Sequence, residues 1–213
     1  MKLKIEIRLK DIIKYLIEAL IVTFGVMLGL ALTEHSSQKK IDKNTETALY
    51  QIIEELDDNI LKFEKSIEYH LKMKIQIDSA YHTIKPEDLE KKYYSYNKFK
   101  FHKLNGWFGV QTVDYEDVIF ESAKINGVFQ ELNIETLKTI SQAYSQMHNY
   151  GDFKKTFWDK FLSIDSKTTV MDIFSLLNTM KGDMINFEGQ TLQILKKAEI
   201  ELEKTTHNNV YKK

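Results

Sequence analysis

The chain contains no cysteine, a single proline at Pro86, and only eight glycines among 213 residues. Without cysteine there is no disulfide, no thiolate nucleophile and no zinc–thiolate site. With so few breakers the backbone is free to run in long helices. Charge of one sign is also lacking, since the formal net charge is −1. A dedicated nucleic-acid binder is usually strongly basic, so nucleic acid is not an expected partner. Catalytic signatures are missing too: there is no phosphate-cradling glycine loop, no Gly-x-Ser-x-Gly elbow and no His-Glu-x-x-His pair. The histidines at 35, 70, 82, 102, 148 and 207 are scattered, with no two placed four apart. No catalytic residue, cofactor or metal site is therefore expected, and the chain does not read as an enzyme.

One long apolar run is present, "YLIEALIVTFGVMLGLAL", Tyr15 to Leu32. With Ile12 and Ile13 added, a helix rising ~1.5 Å per residue extends roughly 30 Å, the thickness of a bilayer core. A cleaved signal peptide needs a shorter acid-free run and a small-x-small site, and "LALTEH" supplies no good one. A soluble core helix needs a polar face, whereas Ala19 to Leu32 offers only Thr23. The run reads as a retained membrane span. Five bases precede it (Lys2, Lys4, Arg8, Lys10, Lys14) and three follow closely (Lys39, Lys40, Lys43), which favours a cytoplasmic N-terminus. The expected organisation is a basic cytoplasmic head over 1–13, a transmembrane helix over 14–33 and an extracytoplasmic α-helical domain over 34–213. The expected location is the bacterial inner membrane. The head, "KLKIEIRLK", alternates apolar and charged residues. It reads as a basic flank against anionic lipid, with edge-strand addition to a partner as the alternative.

Within the span, Gly25 and Gly29 lie about 20° to either side of Glu18 at 100° per residue, and Thr33 extends the same face. Gly-x-x-x-Gly permits close backbone approach between spans, so Glu18, Gly25, Gly29 and Thr33 form a candidate helix–helix interface. A carboxylate costs roughly 2.5–3.5 kcal/mol at the bilayer centre by insertion scales, and less near the boundary where Glu18 sits. Glu18 reads either as a tolerated interfacial acid or as a polar contact fixing a partner helix.

Beyond the span, "TEHSSQKKIDKNTE" has neither proline nor glycine, so the helix is expected to continue as a stalk. Leu49, Ile53, Leu56, Ile60, Phe63 and Ile67 then form an apolar stripe, which is expected to drift to Leu71 and Ile75 as His70 and Lys74 take the next positions. Asp58–Lys62 and Glu68–Lys72 are expected four-residue ion pairs. The acids Glu54, Glu55, Asp57 and Asp58 read as a solvated face rather than a metal site. Pro86 is expected to start a short helix, and a further helix spans Tyr115 to Lys124, closed by Asn126-Gly127. Asn133 caps a helix that Gly151 is expected to end, with a short helix from Phe153 to Leu162 beyond it. Ser166 or Thr168 is expected to open the last helix, whose stripe runs Val170, Phe174, Leu177, Met184, Phe187, Leu192 and Leu195, before a frayed end at "THNNVYKK". The fold class is all-α: a single N-terminal span continuing into an extended helical bundle, with two long helices (about 45–82 and 168–205) and several short ones.

Between the helices, Tyr93, Tyr94, Tyr96, Phe99, Phe101, Trp107 and Phe108 are interleaved with lysines. Aromatics folded onto the bundle with lysines at the rim is the plainer reading. Tyr94, Tyr96, Phe99, Phe101, Trp107 and Phe108 are the candidate docking loop for a protein or a membrane surface.

The span and its polar continuation resemble a family of uncharacterised small single-pass bacterial membrane proteins, with Glu18, Gly25, Leu28, Ala31 and Leu32 matching its Glu-(apolar)-Gly-Ile-Leu-x-Ala-Leu pattern. "YEDVIFESAKINGVFQELNIETLKTISQAY" resembles that family's second region through Tyr115, Ser122, Leu137 and Tyr144. In place of the family's Asn-Asn-Trp-Asn-like stretch after the span, this chain has "TEHSSQ". The resemblance implies a span followed by a helical domain and no known activity. The expected role is a scaffold or accessory subunit of the cell envelope, in contact with the lipid bilayer and binding another membrane protein or itself. The alternative is an extracytoplasmic sensor domain signalling through a partner.

Overall fold

A computed structural model describes residues 9–210, and these are all-helical, with no strand among them. The alternating head lies outside the described residues except for Leu9 and Lys10, which begin α1 (Leu9–His82, 74 residues). The remaining helices are α2 (Val118–Ile125), α3 (Ile134–Leu162), α4 (Val170–Thr179) and α5 (Ile185–Val210). A π turn, Met180–Met184, joins α4 to α5. The chain divides into two compact units between Glu46 and Thr47.

The first unit is the opening part of α1. It contains an apolar stretch long enough to cross a membrane, none of it buried within the protein. No proline interrupts α1, and Gly25 and Gly29 do not break it.

In the second unit, Leu49, Ile52, Leu56, Ile60 and Phe63 of α1 pack with Phe120 of α2, Ile140, Tyr144 and Met147 of α3, and Leu195 and Leu202 of α5. A second cluster joins Met73 and Ile77 of α1 to Tyr93, Tyr96 and Phe99 of the connecting loop and to Val170, Phe174 and Met184. The α1 stripe does not drift to Leu71 and Ile75, which are exposed, Ile75 at 67%. It runs Phe63, Ser66, His70, Met73, Ile77, so two polar residues occupy the core face. The sequence misleads here because Leu71 and Ile75 are the apolar residues nearby, while hydrogen bonds make burial of Ser66 and His70 tolerable.

Local signals decide several boundaries. Asn133 caps α3 as expected, its side chain accepting from the Thr136 N–H at 2.8 Å. Gly127, at φ 73°, lies just beyond the C-cap of α2. Gly151 does not end α3. A Cβ there would come within 2.8 Å of the Tyr115 hydroxyl, so this glycine makes room for a packed ring inside a continuous 29-residue helix. Nor does Ser166 or Thr168 open α4. Thr169 does so through a capping box with Asp172, while Thr168 closes the preceding turn on Asp165. Pro86 starts only a 3₁₀ turn, Pro86–Asp88. The π turn shifts the register of α5, so that Glu188 and Thr191, rather than Phe187 and Leu192, lie fully buried between Met184 and Leu195.

Candidate functional site

On the first half of α1, Glu18, Gly25, Gly29 and Thr33 are all exposed. Thr33 Oγ1 donates to the Gly29 carbonyl at 2.8 Å, which satisfies the hydroxyl within the helix. Glu18 lies 4.0 Å from Lys14, one turn earlier. A Cβ added at Gly25 or Gly29 would meet nothing within 4 Å. Among the described residues no contact requires either glycine, although glycine costs a helix interior roughly 0.5–1 kcal/mol relative to alanine.

The second half of α1 holds an arrangement that the sequence pattern conceals. Along it, Glu55, Asn59, Lys62, Ser66, Tyr69 and His70 form a polar ladder beside the apolar stripe. A segment without regular structure, residues 108–117, lies along this ladder and is held by it. The Glu55 carboxylate accepts from the N–H groups of Ile119 (2.7 Å) and Phe120 (3.2 Å), so it caps α2 from a different helix. The N-cap residue itself, Asp117, makes no side-chain cap bond and instead accepts from His148 Nε2 at 2.9 Å. Asn59 pairs with both main-chain groups of Glu116, donating to its carbonyl (2.7 Å) and accepting from its N–H (2.8 Å). Lys62 pairs with the Glu116 carboxylate at 2.6 Å rather than with Asp58, whereas Glu68–Lys72 forms as expected, also at 2.6 Å. The Tyr69 hydroxyl donates to the Gly109 carbonyl at 2.6 Å.

The ladder ends in a buried cluster. Ser66 Oγ lies 2.8 Å from both the Gln111 carbonyl and Glu188 Oε1. His70 places Nδ1 2.8 Å from Glu188 Oε2 and Nε2 2.7 Å from the Val110 carbonyl. The Tyr150 hydroxyl accepts from the Val113 N–H (2.9 Å) and donates to Glu188 Oε1 (3.1 Å). The His70 and Glu188 side chains have no exposed surface. Burial, reinforced by the Glu188 charge, pushes the Tyr150 hydroxyl far above the ordinary phenol range, so it serves as a donor throughout the physiological range. Burial and the hydrogen bond to Glu55 do the same to Tyr144, whose hydroxyl donates to Glu55 Oε1 at 2.6 Å. Glu55 is thus no part of a solvated acidic face. It is buried, while Glu54, Asp57 and Asp58 are exposed. Steps of seven, 56–63–70 and 52–59–66, place His70 and Ser66 on the core face. Nothing in the sequence marks Glu188, because the π turn that rotates it inward has no local signature.

The aromatic loop is divided by the fold. Tyr96 and Phe99 are buried, and Phe101 and Trp107 are partly buried against the second core cluster. Tyr94 and Phe108 remain exposed, at 59% and 78%. Lys91 and Lys98 pair with the buried carboxylate of Asp88, which also accepts from the Tyr96 hydroxyl at 2.9 Å. The hydrogen bond from Lys91, then that from Tyr96, holds the Asp88 carboxyl down at about 2, while desolvation and Asp88 push Tyr96 up to about 12. Among the described residues no group of three or more histidines, aspartates or glutamates is placed to hold a metal ion. No family model, no curated protein and no solved structure matches this chain.

Proposed function

We propose that the protein is a non-catalytic, single-pass membrane protein of the bacterial inner membrane, acting as a scaffold or accessory subunit. In this reading residues 14–33 span the bilayer, 1–13 lie in the cytoplasm and 34–213 form the extracytoplasmic domain. The observation that carries it is the apolar stretch of α1, long enough to cross a bilayer and not buried by any of the described residues. The resemblance at Glu18, Gly25, Leu28, Ala31 and Leu32 supports the same reading, and the basic flanks support the orientation. Glu18, Gly25, Gly29 and Thr33 are the face through which the span pairs, with its own copy or with another membrane protein. The four-residue spacing of the two glycines, which permits close backbone approach, supports this assignment. Tyr94 and Phe108, exposed among lysines, are the remaining contacts of the docking loop.

The test is alkaline carbonate extraction of membranes carrying the full chain, followed by protease accessibility of sealed vesicles. Release of the intact chain by carbonate would overturn the span, and cleavage of the helical domain from the cytoplasmic side would overturn the orientation. Single cysteines placed along residues 16–33 should cross-link best on the Gly25 face, and equal yields around the helix would overturn the pairing. A sensor role is the second reading. It draws on α1 being one helix from Leu9 to His82, able to carry a change in the helical domain toward a partner span. A small molecule that raises the melting temperature of the protein, without a stoichiometric co-purifying partner, would favour it.

A further inference from the structure

The buried cluster at the end of the polar ladder contains fewer hydrogens than its geometry requires. Four hydrogens are needed there: one on Ser66, whose hydroxyl lies between two acceptors, the Gln111 carbonyl and Glu188, and serves both; one from Tyr150 to Glu188; and one on each ring nitrogen of His70, toward Glu188 and the Val110 carbonyl. Serine, tyrosine and a neutral imidazole bring one hydrogen each, and a carboxylate brings none. The Tyr150 hydroxyl spends its hydrogen on Glu188, because its own oxygen is already an acceptor for the Val113 N–H. The Val110 carbonyl can only accept, so His70 Nε2 must carry hydrogen. Nδ1 would then direct a lone pair at Glu188 Oε2 across 2.8 Å, in a site without exposed surface. One additional proton, shared between Nδ1 and Oε2, removes that repulsion and leaves the pair neutral overall. A second would leave an uncompensated positive charge in the core.

We propose that the fold stores one proton between His70 of α1 and Glu188 of α5, and that the contact this proton makes positions the His70, Ser66 and Tyr150 groups to which the segment 108–117 is tied. The segment is tied to the cluster at three nearby main-chain groups: the Val110 and Gln111 carbonyls and the Val113 N–H. It has no helix or strand of its own to hold it in place. Gln111 sits at φ 54°, a conformation that side-chain-bearing residues rarely adopt and that persists only when the surroundings hold it. Ser66 and the edge of the Tyr69 ring face the pair from α1, Tyr150 from α3, and the two carbonyls from the segment itself. Lys154 of α3 turns to the Val113 carbonyl (3.0 Å) and Asp114 (3.4 Å). The proposal is independent of the membrane reading.

The test uses the full chain in detergent, with the histidine ring nitrogens labelled and His70 assigned by comparison with H70Q. At neutral pH both ring nitrogens of His70 are expected to carry hydrogen if the proton rests on His70, or one of them if it rests on Glu188, whose carboxyl then shows the acid signature in carbon spectra. A singly protonated ring beside an ionised Glu188 would overturn the proposal. In Glu188→Gln the amide N–H can itself donate to Nδ1, so one ring hydrogen suffices. At neutral pH, exchange at the amides of residues 110–113 is expected to be faster in Glu188→Ala, where the contact to His70 is gone, than in E188Q, where the amide restores it. Equal exchange in the two variants would also overturn it. Should E188Q fail to fold, the ring-nitrogen and carboxyl spectra of the native chain decide the matter alone.

Discussion

Two stretches of the same helix behave in opposite ways. Residues 12–32 and 49–77 of α1 are both rich in apolar side chains, yet the first buries none of them within the protein and the second buries a continuous stripe. The difference lies in arrangement rather than amount. The first stretch is apolar over most of its circumference, so it offers few polar groups that could fix a neighbouring segment of this chain. The second separates an apolar stripe from a polar ladder, so one side seals a core while the adjacent side binds main chain. A helix becomes part of a folded core when its polar residues specify what the neighbouring segments must do.

The largest expected difference between the two stretches comes from the buried pair. Glu188→Ala leaves His70 without its partner in a site closed to water, which should cost about 3–5 kcal/mol and lower the melting temperature of the full chain by many degrees. Glu18→Ala on the exposed face of α1 should leave that temperature nearly unchanged. Comparable losses in the two variants would show that the polar ladder does not distinguish the two halves.

Next come paired truncations of one residue type. Leu56 is fully buried and Leu20 is exposed. Leu56→Ala should cost roughly 2–5 kcal/mol in thermal or denaturant unfolding, and Leu20→Ala less than about 0.5 kcal/mol. A smaller effect is expected at Asn59→Ala, which unpairs both main-chain groups of Glu116, at about 1–3 kcal/mol. Amide exchange at Glu116 should rise in that variant while exchange in α3 does not, and a uniform rise would make Asn59 an ordinary core residue.

The smallest effect concerns acid stability. Asp88 has its folded carboxyl held at about 2 by Lys91 and Tyr96, below its ordinary value. A depressed carboxylate contributes stability that is complete above the ordinary carboxylate value and is lost as pH falls toward 2. Denaturant midpoints of the native chain should therefore decline across that acid range, and Asp88→Asn should flatten part of the decline. An unchanged acid slope in D88N would remove Asp88 from the account.

Much of the helical plan was legible because it depends on short-range chemistry. Asn133 could be read as a cap, since its side chain needs only the N–H three residues on, and the rarity of proline pointed to long helices. Gly151 misled because glycine ends helices and also accommodates close neighbours, and the close neighbour, Tyr115, lies far away in sequence. Ser166, Thr168 and Thr169 can all cap, and the carboxylate of Asp172 selects Thr169. The polar ladder was the least visible feature. Glu55 and Asn59 resemble solvent-facing residues until the main chain that they bind is in place.

By itself the sequence determined that the chain is helical and where its uncovered apolar stretch lies, because helix formation and hydrophobic length depend on residues within a few turns of one another. Only the tertiary structure decided which polar residues turn inward, since burying a carboxylate and an imidazole is tolerable only when donors and acceptors from distant segments converge on them. His70 and Glu188, 118 positions apart and 2.8 Å from contact to contact, mark the boundary between the two.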